Sequence, residues 1–306
     1  MIEYISEFLL IFFIAPLLVG LIKSFKMFML YKKPISPMQP YRDFSKLLKK
    51  ELIYSKESSS ISRWAVFGVL VPIITVIFIL PPITSSSFYI SFMDAFTITG
   101  LLSLSTFFLM LLGLDSASSF GGLGSSREAF IAALVEPAMI LTIFSVSLIG
   151  QNIGIAKASI NLANNFPLQH AASYILASIS FFILLIAENG RLPVDNPETH
   201  LELTMVHEAM ILDITGANLA LIEMAGAIKF TIFATLFATL FIPFGSHMVW
   251  YLAFAIFILK LIAISIVVAL IEINGAKLRL FKVPNLLGIA IVFAFLSLVT
   301  FYIVGA

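Results

Sequence analysis

Between residues 188 and 223 the chain reads ENGRLPVDNPETHLELTMVHEAMILDITGANLALIE. This stretch holds seven of the seventeen carboxylates: Glu188, Asp195, Glu198, Glu202, Glu208, Asp213 and Glu223. It also holds two of the four histidines, His200 and His207, and a single base, Arg191. Acids and imidazoles at this density suit a proton path, or a polar chamber that meets a soluble partner. Three further ionisable residues, Glu136, Lys229 and Lys260, fall inside apolar sequence. A carboxylate that deep in a membrane span costs about 2.5–3.5 kcal/mol. Glu136 is therefore expected to face other helices, as a relay group or as a structural hydrogen-bonding one. Lys260 is expected to partner a buried carboxylate and Lys229 to snorkel to the cytoplasmic end. Glu272 is expected to be solvated.

Other chemistries fit the residues poorly. His207-Glu208 begins like HExxH, but Ile211 stands where the second histidine belongs. His200 and His207 share a helix face, yet lie about 10.5 Å apart along a straight helix, too far to ligate one metal. No metal site and no catalytic nucleophile–base pair is expected. The chain has no cysteine, so it forms no disulfide and ligates neither an iron–sulfur cluster nor a thiolate-bound metal. Gly121, Gly122 and Gly124 lack the GxxxxGK[ST] pattern of a phosphate loop. They read as a flexible turn before a helix that Ser125 and Glu128 would open with a capping box. No basic patch interleaved with aromatics points to nucleic acid.

The elements that position these residues follow from composition. The 306 residues are 60% hydrophobic and 11% charged, with mean hydropathy +1.07. Soluble domains carry about 25% charged residues. The chain therefore reads as an all-α integral membrane protein, one polytopic domain over 1–306. Apolar runs of roughly 20 residues, the length that spans hydrocarbon, occur at about 4–23, 64–83, 93–114, 130–151, 171–188, 225–245, 248–270 and 284–304. The leading end of the first run carries Glu3 and Glu7 and no Lys or Arg, which argues for a span and against a signal peptide. Fifteen Lys and Arg lie in the loops after spans 1, 3, 5 and 7, against Lys157 alone after spans 2, 4 and 6. That bias puts the acidic stretch in the cytoplasm and both termini outside.

Two loops have further structure. After Pro34, Pro37 and Pro40, the residues Tyr41, Phe44, Leu47, Leu48 and Leu52 recur as one apolar stripe, away from Arg42, Lys46, Lys49 and Lys50. This is the pattern of an amphipathic cytoplasmic helix lying in the interface, as an anchor to anionic headgroups, a lid, or a dock for a partner. Residues 55–62 follow as a polar linker. Between spans 5 and 6, Asn196 caps a helix with Pro197 at its first position. That helix runs to about Leu212, with Gly216 as its stop. Glu198 and Glu202 share one face and repel each other.

The segment ENGRLPVDNPETHLELTMVHEAM resembles the membrane subunit shared by formate hydrogenlyase, hydrogenase-4 and related membrane-bound [NiFe] hydrogenases. That family is similar to the complex I membrane subunit bordering the quinone chamber. QPYRDFSKLLKKE and GLDSASSFGGLGSSREAFIAALVEPA carry the resemblance into the first cytoplasmic loop and the start of span 4. It implies eight helices joining a redox arm to an ion-pumping arm. It places Glu136, Glu188, Glu198, Glu202 and Glu208 on a lateral proton path, and Arg191 and Asp195 in a loop motif. The implied partners are a hydrogenase-like large subunit, a small Fe-S subunit and antiporter-like membrane subunits. The [NiFe] site and the Fe-S clusters would sit on those partners, and a quinone in the cavity is possible. Where the family reads close to V-L-E-Y-S-G-R, this chain has Ile211-Leu212-Asp213-Ile214-Thr215-Gly216-Ala217. Its basic pair is Lys32-Lys33 rather than Arg-Arg.

The leading expectation is an energy-coupling subunit in the cell membrane that performs no redox chemistry itself. A quinone-binding or sulfur-reducing relative of complex I is the alternative within that class. A stand-alone secondary transporter using Glu136 and Lys260, and a plain structural anchor, are the alternatives outside it.

Overall fold

The computed structural model describes residues 2–55, 57–80, 94–164, 167–195, 205–245 and 250–305. Eight helices in it are long and apolar enough to cross a membrane. They are α1 (Ile2–Met29), α3 (Ile61–Ile79), α4 (Ala95–Asp115), α5 (Ser119–Ile149), α7 (Ala171–Glu188), α9 (Gly216–Phe241), α10 (Trp250–Asn274) and α11 (Val283–Gly305). Among the described residues three shorter α-helices lie between them: α2 (Gln39–Leu47), α6 (Ile155–Asn164) and α8 (His207–Ile211). Helices are what this composition requires. In hydrocarbon no water satisfies backbone N–H and C=O groups, so each span must satisfy its own. Pro16, Pro72 and Pro137 sit inside α1, α3 and α5.

The central helix is α9. Of its most apolar window 72% is buried, against 22–33% for α1, α10 and α11. It packs against α1, α3, α7 and α10, while α3 lies along α4, and α11 lies on α7 and α5. Lipid offers no hydrophobic drive between helices, so side-chain bonds and close packing hold them. Ser180 donates to the Ala290 carbonyl (2.8 Å), Ser297 to that of Ser173 (2.7 Å), and Ser105 to that of Val69 (2.8 Å). Away from the charged end, Phe181, Phe233, Phe237 and Phe241 pack ring to ring at 5.2–6.3 Å.

Several local expectations fail, each for a packing reason. Gly121, Gly122 and Gly124 form no turn; they lie inside α5, whose start is capped by Ser118 accepting from Gly121 N–H at 3.0 Å. A Cβ on Gly121 would sit 2.3 Å from the Gly113 carbonyl, and one on Gly124 2.9 Å from that of Val206. These glycines let α4 and the segment before α8 approach. Ser125 is no cap; it donates to the Met110 carbonyl at 2.9 Å. Gly216 is no stop either. It opens α9 at φ +60°, where a Cβ would meet the Glu51 carbonyl at 2.7 Å. There Thr215 Oγ1 accepts from Ile53 N–H (2.9 Å) and donates to the Ile53 carbonyl (3.1 Å).

The amphipathic helix exists but ends at Leu47, leaving Leu48 and Leu52 exposed. It rests on α1 and α9. Gly20 makes this possible, because a Cβ there would clash with the Pro37 carbonyl. The polar linker is tied down. Asp115, ending α4, accepts from the backbone N–H groups of Ser59 (3.1 Å) and Ser62 (3.0 Å) and from both hydroxyls. Those bonds cap α3 from another helix, since orphan N–H groups at a helix start need acceptors.

Candidate functional site: a charged chamber at one end of the bundle

The loops that follow α1, α4, α7 and α10 gather at one end of the bundle. Leu278 N–H donates to the Pro193 carbonyl at 2.8 Å, and Arg127 to that of Met205 at 2.8 Å. Beneath them lies a cavity of ≈ 520 Å³. Its walls are apolar where α3, α4, α5 and α9 supply Val69, Ile73, Leu109, Ile131 and Ile222. Its polar lining comes from Glu128 on α5, Glu188 at the end of α7, His207 and Glu208 on α8, and Glu223 and Lys229 on α9. Lys23, Asp43, Lys46 and Lys50 also line it, from α1 and the α2 region.

The chain leaves α7 through a tight C-terminal turn. Gly190 at φ +55° lets its N–H reach the Ala187 carbonyl (3.1 Å) and Arg191 N–H that of Ile186 (3.0 Å). This pairing satisfies the helix's last carbonyls and turns Arg191 inward. Arg191 is buried over the Phe230 ring (5.2 Å) and bonded to Glu272 (3.2 Å). Glu272 also pairs with Lys26 at 3.5 Å. Asp195 pairs with Lys277 at 2.6 Å and accepts from the backbone N–H groups of Val206 (3.2 Å) and His207 (3.3 Å). The two residues of the loop motif thus pin the chamber roof to α1, α10 and the start of α8.

On the chamber wall, Lys229 pairs with Glu188 at 2.9 Å and donates to Thr106 Oγ1 at 3.1 Å. Thr106 has one proton and two acceptors in reach, the Leu102 carbonyl (3.1 Å) and Glu188 (3.4 Å). Burial, and after it the nearby Lys229 charge, push the His207 imidazole down to about 4 against the opposing effect of Asp195. His207 is therefore neutral near pH 7, with one ring nitrogen able to donate and the other to accept. The arrangement suits holding and passing a proton among Glu128, Glu188, His207 and Glu208. Among the described residues no group of three or more His, Cys, Asp or Glu could hold a metal ion.

The structure brings together only part of what the sequence singled out. Glu188, Arg191, Asp195, His207, Glu208 and Glu223 all line the chamber. Glu198, His200 and Glu202 lie outside the described residues. Asp213 is exposed and lines a separate small cleft with Tyr54 and Asn218. Glu136 is half-buried on α5 and is not among the chamber-lining residues. Lys260 departs from expectation. It reaches the carbonyls of Ile242 and Phe244, just past the C-terminal end of α9, instead of a carboxylate. Helix C-terminal carbonyls carry partial negative charge. In the basic segment, Lys46 and Lys50 line the chamber, whereas Arg42 and Lys49 are exposed and do not.

Sequence reasoning missed four residues here. Lys229 does not snorkel outward, because Glu188 and Thr106 hold it inward. Glu272 is buried rather than solvated, because Arg191 and Lys26 neutralise it. Glu128 faces the chamber instead of capping a helix. Lys277 closes on Asp195 from 82 residues away. One signal was legible for Lys229: an ionisable residue inside a span marks a functional position and needs a partner.

Comparisons with known proteins agree with this architecture. The family described as NADH dehydrogenase matches residues 7–304. The chain is 28% identical over 297 residues to formate hydrogenlyase subunit 4 of Escherichia coli (strain K12), covering 95% of each chain. It is 30% identical over 243 residues to hydrogenase-4 component C of the same organism, covering 79% of this chain and 75% of that one. Its fold is similar to a chain of the membrane-bound sulfane sulfur reductase, an archaeal respiratory membrane complex. The TM-score is 0.82 at 15% identity, over 97% of this chain and 98% of the other. The resemblance carried by the ENGRLPVDNPETHLELTMVHEAM segment is therefore borne out. With fold and sequence agreeing along nearly the whole length, the chain belongs to the NADH dehydrogenase family.

Proposed function

We propose that this chain is the membrane-anchoring and energy-coupling subunit of a multi-subunit redox complex of the membrane-bound hydrogenase type. The observation that carries the reading is the chamber. Six helices (α1, α2, α5, α7, α8 and α9) each deliver an ionisable side chain to one partly apolar cavity. A plain anchor has no use for buried charges that cost free energy to keep. Relatives named as subunits of formate hydrogenlyase and hydrogenase-4 support the same reading.

In this scheme electron transfer occurs in a soluble arm carrying [NiFe] and Fe-S centres, for which this cysteine-free chain supplies no thiolate. A change of charge in that arm shifts the protonation of the chamber acids and biases proton or sodium movement through the membrane. The family resemblance assigns Glu136, Glu198 and Glu202 to the same path as Glu188 and Glu208. The basic residues around α2 and the roof loops form the docking side, facing the cytoplasm, with both termini outside. The one-sided distribution of Lys and Arg supports this orientation. Antiporter-like membrane subunits would take the ion onward.

A second reading, a quinone-binding or sulfur-reducing relative of complex I, is favoured by the cavity itself. Its volume falls in the range of about 300–1,000 Å³ typical of small-molecule sites, and its lining is mixed apolar and polar.

The test is a tagged purification from mild-detergent membranes with mass spectrometry and nickel and iron analysis. Redox-driven ion uptake is then measured in proteoliposomes. Nickel, iron and a large hydrogenase-like partner are expected. Glu188→Gln and Glu202→Gln are expected to slow ion uptake more than redox turnover. A metal-free lone subunit that transports ions by itself would replace the coupling reading with the transporter.

A further inference from the structure

We propose that Lys229 is the shared counter-ion of the chamber, the residue through which the charge on Glu188 of α7 is felt by Glu128 of α5 and His207 of α8. The inference rests on the coupling reading above and deepens it.

The geometry supports a role beyond packing. Lys229 stands on the most buried helix, and its side chain is almost wholly enclosed. Its bonds to Glu188 (2.9 Å) and Thr106 (3.1 Å) use two of its three N–H donors. The other chamber cations are engaged or peripheral. Arg191 is held by Glu272 and Phe230, Lys46 pairs with Asp43 at 3.8 Å, and Lys23 and Lys50 are exposed. Lys229 is bonded to the relay carboxylate Glu188, and its charge also reaches Glu128 and His207. Charges in such an enclosure interact strongly and escape screening by salt.

A shared cation converts separate acids into one titrating unit. A proton arriving on the Glu188 carboxylate cancels its charge and loosens the ammonium. The flexible four-carbon stem then lets the ammonium lean toward Glu128, whose proton becomes easier to release onward. One proton enters at Glu188 and one leaves at Glu128, so charge is conserved. Thr106 assists by turning its single proton from the Leu102 carbonyl to Glu188 as the ammonium withdraws. Lys229 is a positioning residue in this scheme: it carries no transferred proton.

The experiment uses the intact complex in proteoliposomes, with ions moved per electron pair measured for wild type, Lys229→Gln and Lys229→Arg. In parallel, nitrogen-labelled histidine is titrated by NMR, with His207 assigned by its loss in His207→Asn. His207 faces Lys229 from α9, Asp195 from the loop after α7, and the chamber acids Glu128, Glu188 and Glu208. Lys229→Gln is expected to lower the ion ratio at least about tenfold and to raise the His207 midpoint by about one pH unit. Lys229→Arg, which keeps the charge, is expected to restore both. An unchanged ion ratio or an unchanged His207 midpoint in Lys229→Gln overturns the proposal.

Should Lys229→Gln fail to assemble, Thr106→Val keeps every charge while freeing the ammonium. It is expected to lower the ion ratio about twofold or more, and an unchanged ratio overturns the proposal equally. A wild-type complex that turns over without moving ions would sink the coupling reading instead. The His207 titration would then still decide whether Lys229 is the shared counter-ion.

Discussion

The two ends of α7 and α9 solve the same packing problem with different chemistry. At the chamber end the helices meet through charge: Glu188 with Lys229, and Arg191, just beyond α7, over the Phe230 ring of α9. Toward the opposite end they meet through rings: Phe181 against Phe233, Phe237 and Phe241, with the Tyr174 hydroxyl on the Leu240 carbonyl at 2.7 Å. The ring end needs only volume and is tolerant of protonation. The charged end holds its shape only while each charge has its partner, so it responds to any change in protonation.

The comparison can be broken most severely at the ion pair. Lys229→Leu strands the buried Glu188 charge and is expected to cost about 3–5 kcal/mol, read as a lower thermal midpoint and lower assembled yield. Removing both charges together in Lys229→Leu/Glu188→Leu should recover much of that loss. A single variant no worse than a surface change would mean that Glu188 finds another partner.

Phe181→Ala attacks the other end. The expected cost is about 3 kcal/mol from the cavity it leaves. Ions moved per electron pair should stay as in wild type, since no chamber group is touched. A selective loss of coupling would show that the two ends are not separable.

Protonation sharpens the contrast. The His207 pKa is depressed to about 4 in the fold, against 6.5 for a free imidazole. Between these values the unfolded chain binds a proton that the folded chain refuses. Stability is therefore unaffected by this group above pH 6.5 and falls as the pH drops toward 4. The loss reaches about 3 kcal/mol, at about 1.4 kcal/mol per pH unit. Thermal midpoints measured across that window in wild type and His207→Phe should diverge as the pH falls, with the variant lacking this component of the slope.

The smallest effect is expected where a neutral bond joins helices. Ser180→Ala removes a bond to the Ala290 carbonyl, worth about 0.6 kcal/mol on average within a membrane bundle. A loss several times larger would put α11 packing on the same footing as the ion pairs.

How far the sequence could be read depended on the range of the interaction. The eight spans were legible because hydropathy is a local property, and all eight recur in the structure with shifted ends. The Gly121 to Gly124 cluster misled, because a glycine chosen for close approach looks the same in sequence as one chosen for a turn. It is the neighbouring Gly113 and Val206 carbonyls that distinguish them. Glu272 misled for a related reason. Near a span end a carboxylate meets water unless a cation arrives from elsewhere, and here Arg191 and Lys26 arrive from 81 and 246 residues away.

By itself, then, the sequence determined an all-helical membrane protein with its acids concentrated between Glu188 and Glu223, its basic residues in alternate loops, and no cysteine for a redox centre. Composition and periodicity act within a single segment, so each segment declares them alone. Only the tertiary structure decided which charge meets which. Lys229 and Glu188, Lys277 and Asp195, and Arg191 and Glu272 stand on separate segments. A buried charge is tolerated only when packing delivers its counter-charge to within a few ångströms, and that delivery depends on how the helices pack against one another.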